Sequence, residues 1–564
     1  MMKKHIILLL CALTTVSAFG RLRTNDECVA VMKHALGRQA SETMKKRLAT
    51  ERPKKLMTDT QLSVWGYENG GFAVVAHDSE IPALLGYSDE PLIMDRLTPS
   101  FKDFIATLNG YVGYCLENGQ EFKIVGARQN TSVGPLLETD WGQFEPYYNL
   151  CPDSYEGWHC ATGCVATATA EVLNYLRLPN KCRGYKYYDL TILKKRVRVA
   201  INFYDQHFDW DNMRPSYDYT TSRTEAEKKA VAELMYACGM ACTMEYTPNA
   251  STALTDDMAN GVNEFFEGVK ATFYNSFKPD VAYAELDNGR PLYFSGAKEG
   301  GMIGHAFVLD GYDEKGYMHC HMGLTGSGNG FYAITDMNGY TTAQDLITYV
   351  ADDTPRQTFT PVDEIQNTLV TCDWNHPATE IETDKWYILQ SVGRSCHTLS
   401  QGKSKKLMSS FFLPIDEPIE YMAPHLVRFV PNTSSGGYYI QTGLGDWFGT
   451  LTSGGNNGTT ANKTRRYTTG KVAKTDNYFW FKDVTANLIM DCNTGGSSVA
   501  GWGSAAPTDT TSNASWQLFP VSFKENPTPT AIENVTKVKQ TETNYRLNPF
   551  IEIRNGRKIL NLEK

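Results

Sequence analysis

The hydrophobic pattern of the chain is most regular in segment 164–179, where apolar residues recur about every 3.6 positions and alanines fill the first turns. This spacing predicts an amphipathic helix that begins at Cys164. The helix should end before Pro179, because a proline displaces the preceding residue from the α region. A cysteine is therefore expected at the first position of a helix.

Two short β-rich runs, Leu62–Tyr67 and Phe72–Ala76, flank Asn69-Gly70. Asn-Gly between such runs is typical of a β-hairpin. Segment 95–119 has helical spacing and predicts a helix. Segment 21–58 shows no strong period, and we assign no element to it.

A later block predicts three antiparallel strands separated by turns. The first runs from His305 to a turn at Asp310-Gly311, the second covers Tyr317–Met322, and the third covers Phe331–Ile334. The block therefore places a histidine at the start of a strand.

Segment 226–247 predicts another amphipathic helix, in which Cys238 and Cys242 are one turn apart. This pair could ligate a metal or could pack in the core. We favour packing, because no Cys-x2-Cys pair accompanies the two cysteines.

Length and composition indicate a multidomain globular chain. The 564 residues suggest three or four domains, and 41% hydrophobic residues are enough for packed cores. The net charge of −9, with no basic tract, argues against nucleic acid as a partner. After the first residues there is no apolar run of about 20 residues, so we expect no membrane span.

The N-terminus has the pattern of a signal peptide. Lys3 and Lys4 precede the apolar stretch Ile6–Leu13, and the small residues Val16–Ala18 suggest a cleavage site. We therefore expect residues 1–18 to be a signal peptide and the protein to be secreted or displayed at the cell surface. Lipid attachment at Cys11 is an alternative, although small residues do not precede it.

Cys164 is a candidate nucleophile. At a helix N-terminus, the macrodipole and the unpaired N–H groups both favour the thiolate, which is the reactive form of cysteine. The alternative is a buried cysteine that only packs. A basic partner elsewhere in the chain would favour the nucleophile.

His305 is the candidate base. It follows Cys164 by 141 residues, within the roughly 130–150 residues that separate cysteine and histidine in papain-like proteases. The imidazole would take the thiol proton and later protonate the leaving amine. Gln143, some 20 residues before Cys164, could donate its side-chain amide to the developing oxyanion.

A metal site is the competing interpretation of the same block. His319 and His321 are two residues apart on a predicted strand and would project from one face, and His305 could lie on the neighbouring strand. Three imidazoles could bind zinc. This interpretation leaves Cys164 without a role.

Several ordered motifs resemble those of the streptopain-type cysteine peptidases, which are secreted bacterial proteases. The matching stretches are VGPLLETDWGQFEPYYNLCP (133–152), GCVATATAEVLNYLRLP (163–179), MYACGMACTMEYTPNAST (235–252), RPLYFSG (290–296) and GHAFVLDGYDEKGYMH (304–319). FAVVAHDSEIPALLGYSD (72–89) resembles the family's inhibitory pro-domain. The resemblance spans about residues 60–350.

The resemblance implies an α+β, papain-like two-lobed peptidase made as a zymogen, which cleaves protein or peptide substrates without a cofactor. By motif match, Cys164 is the nucleophile, His305 the base and Gln143 the oxyanion donor. Residues 19–132 would form a pro-domain that inhibits the enzyme, and residues 133–360 the peptidase domain. The processing cut is expected near Gly126–Val133.

One motif departs from the family pattern H-x-N-W-G-W-G-G. His321 stands where the family has the asparagine that orients the catalytic histidine, and Met322 and Leu324 replace its shielding tryptophans. The sequence therefore leaves two functions open: an active endopeptidase, or a catalytically impaired homologue that acts as a surface or glycan-binding protein.

The C-terminal third predicts three β-rich units, which open at Lys385–Ser391, Gly436–Gly443 and Ala486–Cys492. Three such repeats suggest that residues 380–525 form a β-trefoil resembling ricin-type lectins, with an immunoglobulin-like sandwich as the alternative. Trp447 could stack on a sugar, which would make glycans a partner. Residues 526–564 suggest a linker and a tail that ends in a sorting signal or a hairpin around Asn555-Gly556.

Overall fold

A computed structural model describes residues 20–525 and the two strands at 551–554 and 557–560. Short segments are excepted: 39, 69, 95–96, 98, 125–130, 155–156, 218–221, 299–303, 336, 338–340, 384, 392–396, 403, 411–416, 456, 493–497 and 510. The expected signal peptide and most of the C-terminal linker lie outside the described residues.

Eight α-helices lie in the described part of the chain. They are α1 (Asn25–Gly37), α2 (Glu42–Thr50), α3 (Pro99–Asn118), α4 (Cys164–Leu176), α5 (Glu225–Ala241), α6 (Thr255–Phe265), α7 (Pro279–Asp287) and α8 (Ile419–Met422). In these residues no helix combines the length and apolar character needed to cross a bilayer.

The strands of the first 352 residues are β1 (Lys54–Thr58), β2 (Leu62–Gly66), β3 (Phe72–Ala76), β4 (Leu84–Ser88), β5 (Lys181–Cys182), β6 (Tyr185–Ile192), β7 (Lys195–Asn202), β8 (Phe266–Tyr274), β9 (Leu292–Lys298), β10 (His305–Tyr312), β11 (Met318–His321), β12 (Gly330–Tyr332) and β13 (Thr341–Asp352). With the helices, they form a mixed α/β region.

The later strands are β14 (Thr368–Cys372), β15 (Trp386–Ser391), β16 (His397–Gln401), β17 (Leu407–Ser410), β18 (Glu417–Pro418), β19 (Leu426–Pro431), β20 (Tyr438–Thr442), β21 (Trp447–Phe448), β22 (Thr459–Thr460), β23 (Tyr467–Lys471), β24 (Phe479–Asp483), β25 (Leu488–Cys492), β26 (Val499–Trp502), β27 (Trp516–Glu525), β28 (Ile551–Arg554) and β29 (Arg557–Leu560). The C-terminal part is therefore rich in strands.

The chain forms two compact units. The first comprises residues 1–135, 296–305 and 309–344, and the second comprises residues 136–295, 306–308 and 345–564. In the first unit the strands follow one another in the order β1-β2-β3-β4-β12-β11-β10, and α1 packs against β3 and β4. The antiparallel pairing of β4 with β12 joins segments that are far apart in sequence.

In the second unit, α4 packs against α5 and α6 around a core to which all three helices contribute. Small side chains on α4, such as Ala166 and Ala170, are fully buried and allow close packing. Cys238 and Cys242 are also buried in this core, as the packing interpretation of these cysteines expects.

Strand pairings in the C-terminal part of the second unit form a closed ring of six strands. The antiparallel pairs run β15–β19, β19–β20, β20–β23, β23–β24 and β24–β27, and β27 pairs again with β15. Three two-stranded pairs, β16–β17, β21–β22 and β25–β26, attach to this arrangement. A closed ring leaves no free edge among its members.

Most of the predicted elements are confirmed. α4 begins at Cys164 and ends at Leu176, three residues before Pro179. β2 and β3 form the predicted hairpin, and α3 and α5 lie where helices were expected. No element was assigned to segment 21–58. This was wrong, because the segment contains α1, α2 and β1.

The sequence did contain a signal for α1. Thr24 and Glu27 form a capping box, in which each side chain bonds the other residue's backbone N–H. The apolar spacing was present as well, because the four buried side chains, which include Met32 and Leu36, stand at positions 28, 32, 35 and 36 and so recur at i, i+4, i+7 and i+8. Both the cap and the spacing of α1 were therefore overlooked.

Candidate active site

Gly163 creates the backbone conformation that starts α4. It has φ +87° and no side-chain cap, and its carbonyl accepts the N–H of Thr167 at 3.0 Å. A Cβ at this position would lie 2.8 Å from Met244 Sδ and 2.9 Å from the Ser251 carbonyl. Glycine is therefore required immediately before the cysteine.

Cys164 is the first residue of α4 and is partly exposed. Burial of the sulfur raises the pKa of the thiol, while the backbone N–H groups of Ala306, Val165 and Cys164 itself act in the opposite direction. Backbone N–H groups directed at one atom can stabilise negative charge there. The position is therefore suited to an anion that forms during a reaction.

The contact with Ala306 connects two distant parts of the sequence. Ala306 belongs to the same compact unit as Cys164 and directly follows His305 in β10. The chain thus brings the residue next to the candidate base to the sulfur of the candidate nucleophile.

Gln143 presents a buried amide close to the start of α4. Its backbone carbonyl accepts bonds from Thr162, from the N–H at 3.1 Å and from Oγ1 at 3.4 Å, and Thr162 lies two residues before Cys164. The side chain is 8% exposed, and its Nε2 has no hydrogen-bond partner in the described part of the chain. A buried donor left unpaired is costly and indicates a group that bonds a ligand or a reaction intermediate.

His305 is described within the first unit. Its side chain is buried, and burial lowers its pKa to about 4, although an interaction with the Met322 backbone partly offsets this. The ring is therefore neutral at pH 7. Separately, the raised pKa of Cys164 favours its thiol over its thiolate.

His319 and His321 differ in their surroundings. His319 Nδ1 lies 2.5 Å from Asp310 Oδ1, and its ring packs edge-on against Phe331, whereas His321 is buried. Within the described ranges no group of three or more His, Cys, Asp or Glu side chains has the arrangement of a metal site. The carboxylate of Asp310 thus engages Nδ1 of His319, so only Nε2 would be left for a metal ion.

The segment that departs from the family pattern is well packed. Met322 and Leu324 are both buried, and the Met322 N–H donates to Asn329 Oδ1 at 2.8 Å. Apolar side chains therefore still fill the positions where the family has tryptophans.

Sequence reasoning missed Glu171, which lies on α4 two turns after Cys164. Its carboxyl is fully buried and accepts a bond from the N–H of Trp141 at 3.2 Å. The sequence did contain a signal, because Glu171 is the charged residue of an otherwise uncharged helix. Acidic residues are almost never fully buried unless they are paired.

Comparisons with known proteins agree with this geometry. The sequence profile described as the peptidase C10 family matches residues 141–332. The chain is 29% identical over 314 residues to streptopain from Streptococcus pyogenes, covering 50% of this chain and 76% of that protein. It is also 26% identical over 314 residues to the thiol protease/hemagglutinin PrtT of Porphyromonas gingivalis, covering 50% of this chain and 36% of that protein.

Among solved structures, the chain resembles a fragment of prointerpain A from Prevotella intermedia. The two are 31% identical over 52% of this chain and 97% of the fragment, with a TM-score of 0.47. These similarities define a cysteine-type peptidase. Residues 141–332 are thus similar to the peptidase C10 family, and the similarity is to its streptopain type.

Proposed function

We propose that the protein is a secreted endopeptidase, made as a zymogen, in which Cys164 is the nucleophile, His305 the base and Gln143 the oxyanion donor. The observation that carries the proposal is the contact between the Cys164 sulfur and the N–H of Ala306, the residue that follows His305. The buried Nε2 of Gln143, which has no hydrogen-bond partner among the described residues, supports the third role.

The reaction would proceed in two halves. His305 takes the proton of Cys164, and the sulfur attacks the peptide carbonyl to form a tetrahedral oxyanion that accepts bonds from Gln143 Nε2 and the Cys164 N–H. The imidazolium then protonates the leaving amine, which leaves a thioester. His305 next removes a proton from water, and the resulting attack releases the acid and restores the thiol.

In this proposal His321 does not have to replace the family asparagine. The Met322 backbone interacts with the ring of His305, and the Asn329 side chain bonds the N–H of Met322. A backbone acceptor can fix the direction of an imidazole as a carboxamide does. These contacts favour an active enzyme over the binding-only homologue.

Residues 19–132 would be the inhibitory pro-domain, and residues 133–360 a two-lobed, papain-like peptidase domain. Contacts within the first unit support this proposal, because residues of the N-terminal segment pack against the strands that follow His305. Tyr87 and Phe331 are register partners, the Ile93 N–H donates to Ser327 Oγ at 3.1 Å, and Phe101 packs on Gly328. The expected cut near residues 126–133 falls mostly outside the described residues.

The C-terminal ring of strands supports the β-trefoil over the immunoglobulin-like sandwich, because a sandwich consists of two separate sheets. We propose that this domain is a glycan-binding accessory. Trp447 is only partly buried and follows Asp446. The Lys463 ammonium lies 5.2 Å from the centre of the Trp447 ring, so a sugar would have to displace this lysine to stack on that face.

The test is covalent labelling. The processed protein is treated with an irreversible, thiol-directed peptidase inhibitor, and the adduct is located by mass spectrometry beside an assay of casein hydrolysis. We expect one adduct, on Cys164, with labelling and hydrolysis lost in Cys164→Ala and strongly reduced in His305→Ala. The matched control, His207→Ala at an exposed histidine, should label normally.

Absence of labelling in a folded protein would contradict the peptidase and favour the binding-only homologue. Zinc that copurifies and is lost in His305→Ala and His321→Ala would favour the metal interpretation. N-terminal sequencing of the precursor before and after activation tests the zymogen. A new N-terminus between residues 126 and 133 in the wild type, but not in Cys164→Ala, is the expected result for self-processing.

A further inference from the structure

The carboxyl group of Glu171 has no role in the reaction described above, yet it is fully buried on the helix that carries Cys164. It lies seven residues after the cysteine, among alanine and threonine side chains. Burying a carboxyl group costs several kcal/mol unless hydrogen bonds compensate. Its partners therefore indicate why it is there.

The partners of Glu171 lie on the segment that leads to Gln143. Oε1 accepts the backbone N–H of Trp141 at 3.2 Å and the hydroxyl of Thr139 at 3.4 Å. Trp141 is itself fully buried, and its indole Nε1 donates to the Arg214 carbonyl at 2.8 Å. Glu171 thus connects α4 by hydrogen bonds to residues 139–141, a segment whose position is also fixed by the packing of Trp141.

A second tie lies at the other end of the same short segment. The carbonyl of Gln143 accepts from Thr162, and Thr162 Oγ1 lies 3.1 Å from Thr167 Oγ1 on α4. Trp141 and Gln143 are only two residues apart. The backbone that carries the Gln143 amide is therefore fixed to the Cys164 helix at two points.

We propose that Glu171 is a positioning residue that holds the Nε2 of Gln143 in register with the sulfur of Cys164. This inference rests on the proposed role of Gln143 as oxyanion donor. A donor stabilises an oxyanion only within a narrow range of distance and direction. Loss of the Glu171 acceptor should therefore lower kcat while KM changes little, because the substrate itself is not touched.

The experiment is a double-mutant cycle with the processed enzyme. The concentration of active enzyme is measured by titrating Cys164 with a thiol-directed inhibitor, and kcat is calculated from that concentration. Glu171→Met removes the acceptor at similar volume, Glu171→Gln keeps an acceptor oxygen, and Gln143→Ala removes the amide. We expect Gln143→Ala to lower kcat about 10²-fold and Glu171→Met about tenfold. The double variant should be no slower than Gln143→Ala alone.

The conservative variant separates positioning from mere folding. Glu171→Gln should recover most of the kcat that Glu171→Met loses, since its amide oxygen can accept from Trp141. Glu225→Met, at an exposed glutamate of α5, is the matched control and should leave kcat unchanged. If Glu171→Met does not fold, Glu171→Asp retracts the carboxylate by one methylene and should show the same dependence on Gln143.

The outcomes are distinguishable. If Gln143→Ala leaves kcat unchanged, the oxyanion role in the proposed function fails. If Gln143→Ala slows the enzyme but the Glu171 effect remains fully additive in the double variant, the positioning role fails and Glu171 only stabilises the fold. A rise in KM without loss of kcat would also overturn the positioning role.

Discussion

The backbone N–H of Ala306 faces the sulfur of Cys164. The two residues are 142 positions apart in sequence, and the contact lies inside a single compact unit. It brings the start of strand β10 to the start of helix α4. Burial of the same sulfur raises the pKa of the thiol above its ordinary value, so contact alone does not create a thiolate.

The first prediction concerns the pH dependence of Cys164 alkylation in the full-length chain. Because burial raises the pKa of the thiol above its ordinary value, the thiol should predominate at pH 7, and the thiolate fraction should increase with pH. We expect the alkylation rate constant to rise in the same proportion between pH 7 and 9. Iodoacetamide labelling followed by mass spectrometry measures it.

The processed enzyme provides the comparison, because an activated thiolate–imidazolium pair reacts rapidly even near pH 6. A rate that is already maximal at pH 6 in the full-length chain would show that the ion pair exists before processing. That result would contradict the thiol inferred from the raised pKa of Cys164.

The second prediction concerns Gly163. Its φ of +87° and the close approach of Met244 and Ser251 leave no room for a Cβ. Gly163→Ala should destabilise the fold by about 1–3 kcal/mol and reduce kcat by shifting the first turn of α4. Urea denaturation and a peptidase assay measure the two effects.

Gly289→Ala is the matched control, because Gly289 also has positive φ (+70°) but no atom within 4 Å of an added Cβ. Gly289→Ala should lower the free energy of unfolding through backbone strain alone and leave kcat unchanged. Equal losses of kcat in both variants would argue against a specific role of Gly163 at the nucleophile.

The third prediction follows from the lowered pKa of His305, which burial brings to about 4 from the ordinary 6.5. Between pH 4 and pH 6.5 the unfolded chain binds a proton at this histidine that the folded chain does not. The free energy of unfolding therefore decreases as the pH drops below 6.5. At pH 5.5 the cost is about 1.4 kcal/mol. Above pH 7 this histidine contributes nothing to the pH dependence.

Urea midpoints at pH 7.5 and 5.5 test this, in a Cys164→Ala background that prevents self-cleavage. When the pH is lowered from 7.5 to 5.5, the free energy of unfolding of His305→Gln should fall by about 1 kcal/mol less than that of its parent. His207→Gln, at the surface, should behave like the parent. The same pH dependence with and without His305 would show that the ring is free to protonate in the folded state.

The fourth prediction concerns Glu417 of β18, which contacts two other segments of the second unit through Tyr204 and Arg356. Its carboxylate is buried, accepts from the hydroxyl of Tyr204 and lies 2.7 Å from Arg356 Nη1. Glu417→Ala should destabilise the protein by about 3–5 kcal/mol, because Arg356 loses its buried counter-charge. Thermal unfolding measures the loss.

A second change should reverse much of that loss. Arg356→Met removes the uncompensated charge, so Glu417→Ala with Arg356→Met should be more stable than Glu417→Ala alone. Glu382→Ala, which breaks an exposed pair with Lys385, is the control and should cost less than 1 kcal/mol. A similar small cost for Glu417→Ala would mean that this buried pair does not stabilise the contact between these segments.

The fifth prediction concerns the altered family motif. Because the Met322 backbone already interacts with the ring of His305, His321→Asn, which restores the family residue, should leave kcat unchanged. A several-fold rise in kcat would instead show that orientation of His305 limits turnover. Met322→Trp should lower the yield of folded protein, because Met322 is completely buried and a larger ring overfills its site. Unchanged kcat in His321→Asn would support orientation of His305 by the Met322 backbone.

Local sequence determined several elements by itself. The period and Pro179 set the bounds of α4, Asn69-Gly70 marked the hairpin of β2 and β3, and the start of the helical period marked Cys164 as a candidate. These features depend on neighbours a few residues away, and such interactions are readable from a single sequence. The hairpin β6–β7 was missed, because its turn uses Leu193 and Lys194 at positive φ in place of the usual Asn-Gly.

Only the tertiary structure decided the remaining features. The pairing of β4 with β12, the closure of the ring by β15 and β27, and the bonds that Glu171 accepts from Trp141 and Thr139 all join residues that are distant in sequence. The sequence pattern indicates which side chains prefer to be buried, but it does not indicate which buried groups contact one another. That choice depends on the free energy of packing the whole chain, which no local window contains.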